Sequence, residues 1–226
     1  MKIENVNPAD IEKRSMEIIE SEGDFSAFSD SERLILKRII HTTADFDYIK
    51  NIRFSENAVE SGLNALKNNA VIITDTKMIL SGISKPALKA LDCEVHCFVS
   101  DPDVVVEAKK YNTTRAIRAI HKAVDIFSDR NVIFAVGNAP TALICLHELI
   151  NEGKINPALI IGVPVGFVNV VQSKNLIMSD NIPYIVSEGR KGGSTVAVSI
   201  CNALLYQLYD RKTGELSKNI FLGFAG

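Results

Sequence analysis

Residues 132–141 read Val-Ile-Phe-Ala-Val-Gly-Asn-Ala-Pro-Thr, and this stretch decides the fold. Its first five residues are all apolar and rich in β-branched side chains, a pattern typical of a strand buried on both faces of a parallel sheet. The glycine at 137 interrupts this run, and the proline at 140 suits the first turn of a helix because it needs no N–H partner there. The stretch therefore predicts one unit of strand, loop and helix.

The same unit recurs on both sides of this stretch. Predicted strands cover residues 70–74, 93–99, 132–136, 158–163 and 183–187, and predicted helices cover residues 55–68, 113–127, 140–151 and 193–209. Two further helices, 8–20 and 29–41, precede the strands and begin with capping residues. We therefore expect an α/β fold in a single domain over residues 1–226, with a doubly wound, mainly parallel five-stranded sheet flanked by helices and two N-terminal helices.

The composition limits the classes of partner. The chain has 226 residues and a formal net charge of −2, so it offers no overall basic field to nucleic acid or to an anionic membrane. Its first residues lack the apolar segment of a secretory signal, and no later run approaches the length of a membrane span. We expect a cytoplasmic protein without nucleic-acid or membrane partners, whose four cysteines are reduced.

The sequence indicates neither a metal site nor a nucleotide site. Cys93 and Cys97 would share one face of a strand while His96 would point to the other, so the three side chains would not converge on one ion. No strand is followed by G-x-G-x-x-G, and loop 187–194 lacks the Walker spacing. We expect no metal and no nucleotide cofactor.

Loop 187–194 is the strongest candidate for an anion site. It reads Ser-Glu-Gly-Arg-Lys-Gly-Gly-Ser, so its glycines can expose N–H groups at the start of a helix, and Arg190 and Lys191 add positive charge. Ligands of open α/β sheets bind at the carboxyl ends of the strands, where this loop would lie. A solvated turn explains the same residues, and the loop alone does not separate the two interpretations.

His41 is the candidate for proton transfer. It ends a predicted helix, lies on the same face as Arg38, and is followed by the polar run 42–47. A histidine at the C-terminus of a helix can also act only as a partner for the helix dipole. Both roles therefore stay open from these residues alone.

Ser15 and Arg38 place polar groups where apolar ones are expected. Ser15 lies between Ile11 and Ile18 on one face of the first helix, and Arg38 follows Leu34 on the second. Burial of such groups without a partner is costly. We expect either contacts with a substrate, or hydrogen bonds to each other or to nearby backbone.

Seven short motifs, taken in order, give the chain a wider resemblance. They are IEKRS at 11–15, RIIH at 38–41, TDTKM at 74–78, SGI at 81–83, GNAPTAL at 137–143, PVGFV at 164–168 and GRKGGS at 189–194. In content and order they resemble the precorrin-8X methylmutase family, also called precorrin isomerases or cobalt-precorrin-8 methylmutases. The combination of GNAPTAL, PVGFV and GRKGG at these separations is specific.

The resemblance implies an isomerase of cobalamin biosynthesis. Such an enzyme moves a methyl group from C-11 to C-12 of precorrin-8X or cobalt-precorrin-8, giving hydrogenobyrinate or cobyrinate, and uses no cofactor. The resemblance also implies a tetrapyrrole substrate and a homodimer with active sites near the subunit interface. A corrinoid carrier without catalysis is the rival hypothesis from another class, and an α/β enzyme for another anionic metabolite is a more distant one.

Roles for individual residues follow from the same resemblance. His41 matches the histidine that gives or takes a proton, and Ser15 and Arg38 match substrate contacts. The substrate carries acetate and propionate carboxylates around an apolar ring, so cationic and polar residues should bind its edge. The further candidates are Arg14, Arg115, Arg190, Lys191, Asn138 and Gly192. Residues 42–45 differ from the small-residue run of some members, so no role is carried over to the two aspartates that follow His41.

Overall fold

A six-stranded sheet forms the centre of the computed structural model, which describes residues 3–217. Its strands are β1 (Ile52–Phe54), β2 (Val71–Thr74), β3 (Glu94–His96), β4 (Val132–Val136), β5 (Leu159–Gly162) and β6 (Tyr184–Ser187). They are arranged in the order β1-β6-β5-β4-β2-β3, and all neighbours are parallel except β1, which is antiparallel to β6. Two short strands, β7 (Tyr209–Asp210) and β8 (Glu215–Leu216), form a separate hairpin. The prediction of a mainly parallel α/β sheet is confirmed.

Helices cover both faces of this sheet. After a 3₁₀ turn at Pro8–Asp10 they are α1 (Ile11–Glu22), α2 (Asp30–Thr43), α3 (Tyr48–Asn51), α4 (Ala58–Lys67), α5 (Lys77–Gly82), α6 (Lys85–Ala90), α7 (Pro102–Lys110), α8 (Arg115–Phe127), α9 (Pro140–Asn151), α10 (Val170–Ser179) and α11 (Ser194–Leu208). One core cluster contains α1, α2, α4, α5, α6 and α11, and the other contains α8, α9 and α10. The two predicted N-terminal helices correspond to α1 and α2.

The predicted count of five strands is wrong, because β1 also belongs to the sheet. Its three residues pair with β6 in the register Ile52 to Ser187, Arg53 to Val186 and Phe54 to Ile185. A three-residue edge strand with an exposed arginine at its centre has no apolar run for a sequence pattern to detect.

Strand β4, in the middle of the sheet, needs helices on both of its faces. Ile133 and Ala135 pack into the cluster that contains α2 and α11, whereas Val132, Phe134 and Val136 pack into the cluster on the other face. All five side chains are buried. Because successive side chains of a strand alternate between faces, an all-apolar strand is stable only when helices cover both sides.

Helix α2 has well-defined signals at both ends. Ser29 and Glu32 form a capping box, in which the Glu32 carboxylate accepts the Ser29 N–H at 2.8 Å and the Ser29 hydroxyl accepts the Glu32 N–H. Ala44 ends the helix in the left-handed region at φ 53°, and its N–H donates to the Ile40 carbonyl. His41 therefore lies in the last turn of a helix whose end is fixed.

Loop 188–193 folds back over the carboxyl ends of the strands. A Cβ atom at Gly192 would lie 2.2 Å from the Val163 carbonyl oxygen, and φ at this residue is 156°, so the close approach needs a glycine. The Gly193 N–H donates to the same carbonyl at 2.8 Å. The loop is thus held against the end of β5.

Lys174, a buried lysine of α10, binds loop 188–193 from inside the protein. The Lys174 side chain is fully buried, and its ammonium donates to the carbonyls of Gly189 and Lys191, each at 2.8 Å. Helix α10 was not predicted because its buried face carries Ser173 and Lys174 between Val170 and Ile177, which interrupts the apolar pattern.

Replacing Lys174 should change how stability depends on pH. Burial lowers the pKa of Lys174 from 10.5 to about 8, so between these two pH values the unfolded chain binds more protons at this side chain than the folded protein does. This lysine should therefore make the free energy of unfolding rise with pH across that window. We expect Lys174→Met to remove that contribution, as measured by urea unfolding at several pH values.

Exposed Lys89 on α6 provides the control, because Lys89→Gln removes a lysine without touching the loop. It should keep the wild-type pH dependence. Equal slopes for the wild type and Lys174→Met would contradict the expected burial effect.

Candidate active site

A cavity of about 460 Å³ lies between α2, α5 and α11, on the side of the sheet that carries the N-terminal helices. Its lining includes Arg38, Thr42, Met78, Ser81, Thr195 and Tyr206. His41 directly precedes Thr42, and its imidazole ring is exposed. Within residues 3–217 no hydrogen bond engages this ring, so both of its nitrogen atoms are accessible to a ligand.

Arg38 takes part in a cluster of charged and aromatic groups. Its Nη1 donates to Oε1 of Glu12 at 2.8 Å, and its guanidinium lies over the Tyr206 ring at 5.3 Å from the centroid. Arg211 binds both oxygens of the same carboxylate, at 2.9 and 3.0 Å. Hydrogen bonding to Arg211 is the main cause that lowers the pKa of Glu12.

Ser15 hydrogen-bonds within its own helix. Its hydroxyl donates to the Ile11 carbonyl at 2.9 Å, the common arrangement for a serine inside a helix. The expectation that Ile11 and Ile18 form a packed stripe around Ser15 is wrong, because these two side chains are 53% and 36% exposed and α1 buries Ile19 instead. A substrate contact for Ser15 stays a prediction.

Two predicted cations do not line the 460 Å³ cavity. Arg14 is half-buried and forms ion pairs with Glu4 at 2.7 Å and Glu17 at 3.6 Å. Arg115 is the first residue of α8, which covers the other face of the sheet. Roles for both residues in substrate binding stay predictions.

Asp75 is a buried carboxylate to which the sequence reasoning gave no role. It follows β2 directly and accepts three backbone N–H groups, from Gly137 at 2.9 Å, Asn138 at 2.8 Å and Ala139 at 2.7 Å. Burial raises the pKa of Asp75, whereas the three donors oppose that shift. These three N–H groups are therefore not available to a ligand, and a substrate contact for Asn138 stays a prediction. The available sequence signal was a charged residue two positions after the apolar run 70–73.

The two cations of loop 188–193 have different surroundings. The Lys191 ammonium lies 2.6 Å from carboxylate oxygens of both Asp45 and Asp47, and this contact raises its pKa. Because these aspartates follow His41, Lys191 connects the loop to the end of α2. The Arg190 guanidinium lies over the Phe167 ring at 5.3 Å, and it forms no ion pair with any residue in the described range 3–217.

Phe167 and Val168 leave apolar surface uncovered beside Arg190. Their side chains are 80% and 79% exposed, in the loop that follows β5. The Gly166 N–H donates to the Arg190 carbonyl at 3.2 Å, so this loop and loop 188–193 are joined. A charged group and an apolar surface therefore stand together at the carboxyl edge of the sheet.

Residues 3–217 contain no group of three or more histidine, cysteine, aspartate or glutamate side chains placed to hold a metal ion. In the same range no helix is long and apolar enough to span a bilayer. His96 contacts Glu94 at 3.0 Å and stacks on Phe98, and burial raises the pKa values of the Cys93 and Cys97 thiols.

Comparison with known proteins gives consistent results. The family model described as precorrin-8X methylmutase matches residues 10–207. The chain is 46% identical over 211 residues to the cobalt-precorrin-8 methylmutase of Leptospira interrogans, covering 91% of this chain and 95% of the relative. It is 41% identical over 206 residues to the cobalt-precorrin-8 methylmutase of Salmonella typhimurium, covering 89% and 96%.

A solved structure supports the fold as well. The precorrin-8X methylmutase of Thermus thermophilus superposes with a TM-score of 0.81 at 42% identity, covering 87% of this chain and 94% of that one. The agreement extends over nearly the full length of each relative, and it includes the motifs that carry His41, Arg38 and loop 188–193. On these grounds the chain belongs to the precorrin-8X methylmutase family, whose members are isomerases.

Proposed function

We propose that this protein moves a methyl group from C-11 to C-12 of precorrin-8X or cobalt-precorrin-8, producing hydrogenobyrinate or cobyrinate in cobalamin biosynthesis. The observation that carries the proposal is the match to methylmutases along nearly the whole chain. The corrinoid carrier is not favoured, because the matched relatives are named methylmutases. A cytoplasmic location of the protein stays a prediction.

His41 is the proposed proton-transfer residue. The reaction is an isomerisation, so no atom is gained or lost and the protein has only to select the reactive tautomer of the ring. An imidazole can give and take protons near neutral pH. Its position one turn after Arg38, with no competing hydrogen bond from residues 3–217, supports this role.

Substrate binding is assigned to cations around an apolar floor. Arg38 on the cavity wall and Arg190 beside Phe167 would bind peripheral carboxylates, and Met78, Val198 and Tyr206 would contact the ring. For Lys191 the contacts with Asp45 and Asp47 support a different role, which is to hold loop 188–193 against the segment that follows His41. Ser15, Arg14, Arg115, Asn138 and Gly192 keep their predicted place among the binding residues.

The activity can be tested directly. We expect the purified wild type to convert metal-free precorrin-8X, cobalt-precorrin-8 or both, followed by the change in absorbance of the macrocycle. Conversion of one substrate alone would identify the natural one. Binding of both without conversion would favour the carrier and contradict the proposed function.

Replacing His41 should impair catalysis and leave binding intact. We expect His41→Asn to lower turnover by about a hundredfold to ten-thousandfold, the usual contribution of a general acid or base, while the product still binds in calorimetry. His121→Asn, on helix α8 in the other layer, should keep near wild-type turnover. Normal turnover by His41→Asn would exclude His41 as the proton-transfer residue.

Replacing Arg190 should weaken binding in a manner that depends on salt. Arg190→Gln removes a cation without breaking an ion pair among residues 3–217, so we expect a higher dissociation constant for cobyrinic acid. The difference from wild type should shrink as salt rises, because a Debye length of about 10 Å at 0.1 M screens exposed charges. The control is Arg130→Gln. Arg130 lies just before β4, at the amino ends of the strands and thus away from loop 188–193, so this variant should bind as the wild type does. Equal affinities for Arg190→Gln and wild type at low salt would indicate that loop 187–194 is a solvated turn and not an anion site.

We further propose that the protein is a homodimer. The exposed Phe167 and Val168 side chains at the edge of the site support this state, since large apolar side chains gathered on a surface favour an interface. Sedimentation equilibrium should give twice the mass of one chain. A single-chain mass at micromolar concentration would contradict the proposal.

A further inference from the structure

Arg211 joins the C-terminal hairpin to the first helix. It lies in the turn between β7 and β8, and its two Nη atoms donate to the two oxygens of Glu12, at 2.9 and 3.0 Å. This planar, two-bond geometry is the strongest form of an arginine–carboxylate pair. Arg211 lies beyond the residues 10–207 that the family model matches.

Glu12 has a second arginine partner. Arg38 reaches the same carboxylate through one bond, from Nη1 to Oε1 at 2.8 Å. Both guanidinium groups lie over the Tyr206 ring, Arg38 at 5.3 Å and Arg211 at 4.9 Å. Two positive groups therefore share one negative group on one aromatic platform, and the cluster keeps one uncompensated positive charge.

The geometry indicates which arginine carries the uncompensated charge. Arg211 engages both oxygens of Glu12, whereas Arg38 engages only one and keeps its other N–H donors. Within residues 3–217, Glu12 is the one side chain that accepts a hydrogen bond from Arg38. Arg38 also lines the 460 Å³ cavity, whereas Glu12 and Arg211 line a second cavity, and Tyr206 lines both.

We propose that Arg211 is a positioning residue that balances the charge of Glu12 and thereby leaves Arg38 able to bind a carboxylate of the macrocycle. This inference rests on the proposed function, because it assigns Arg38 to the substrate. Without Arg211, the Glu12 carboxylate would pair fully with Arg38 and would repel a substrate carboxylate. Arg211 thus tunes a site that it does not itself line.

The first arm of the test replaces Arg211 alone. We expect Arg211→Gln to raise the KM for the precorrin substrate and the dissociation constant for cobyrinic acid by about tenfold or more, as for loss of one charge-assisted hydrogen bond. The turnover number at saturation should stay close to wild type, because His41 is untouched. Lys212→Gln removes the same charge from the adjacent position of the hairpin and should bind as the wild type does.

The second arm separates charge balance from a merely structural role. Glu12→Gln in the Arg211→Gln background removes the carboxylate that would capture Arg38, so we expect affinity to return towards the wild-type value. If Arg211 served only to hold the hairpin against α1, Glu12→Gln would remove the second partner of that same contact, and the affinity for the macrocycle would not recover. Recording the thermal midpoint of each variant checks that all of them are folded at the assay temperature.

Each outcome decides the inference. Unchanged affinity in a folded Arg211→Gln, or lost affinity that Glu12→Gln does not restore, overturns it while leaving the proposed function in place. A wild type that neither binds nor converts the macrocycle removes the proposed function, and this inference with it. Loss in the single variant together with recovery in the double variant establishes the charge balance.

Discussion

The buried ammonium of Lys174 is the interaction on which the carboxyl edge of the sheet depends. It binds two main-chain carbonyls of loop 188–193 from inside the protein, and it has no carboxylate partner among residues 3–217. A buried charge satisfied in this way fixes the path of the loop, because any other path would leave the ammonium without acceptors. From that loop, Lys191 reaches Asp45 and Asp47, so the constraint extends to the end of the helix that carries His41.

Asp75 is likewise a buried group that is bound by main-chain atoms of a loop, but it is an acid and not a base. Its carboxylate is held by three N–H groups of loop 137–141, so the main chain again supplies the partners. At two neighbouring places a buried ion therefore sets the shape of a loop. The side chains that these two loops carry are then placed by rigid backbone, which favours catalysis because little reorganisation is needed on binding.

The sequence predicted the parts of the protein that depend on local patterns. Strand β4 and helix α9 have the bounds expected from the apolar run and the proline, and the parallel arrangement follows from alternation of strands and helices. Strand β1 was missed because it is short and carries a charge, and α10 because its buried face contains Lys174. Helical spacing placed Arg38 and His41 on one face of a helix. In the structure Arg38 lines the 460 Å³ cavity, whereas His41 is exposed next to the lining residue Thr42.

Contacts between distant segments could not be predicted in this way. Lys191 and Asp45 are separated by 146 positions, so no periodic pattern links them, and the sequence left Lys191 as one more cation for the substrate. The same limit applies to Arg38, because its partner Glu12 also binds Arg211, which lies near the opposite end of the chain.

The separation of Glu12 and Arg211 by 199 positions has a consequence for biosynthesis of the protein itself. Chains emerge from the ribosome N-terminus first, and their domains generally fold as units. Glu12 and Arg38 are therefore synthesised long before Arg211, and an early N-terminal helical pair would hold them together as a neutral couple. The contribution of Arg38 to anion binding would then appear only when the hairpin is complete, so an incomplete chain would contain His41 and Arg190 yet lack one of the proposed contacts with the acidic macrocycle.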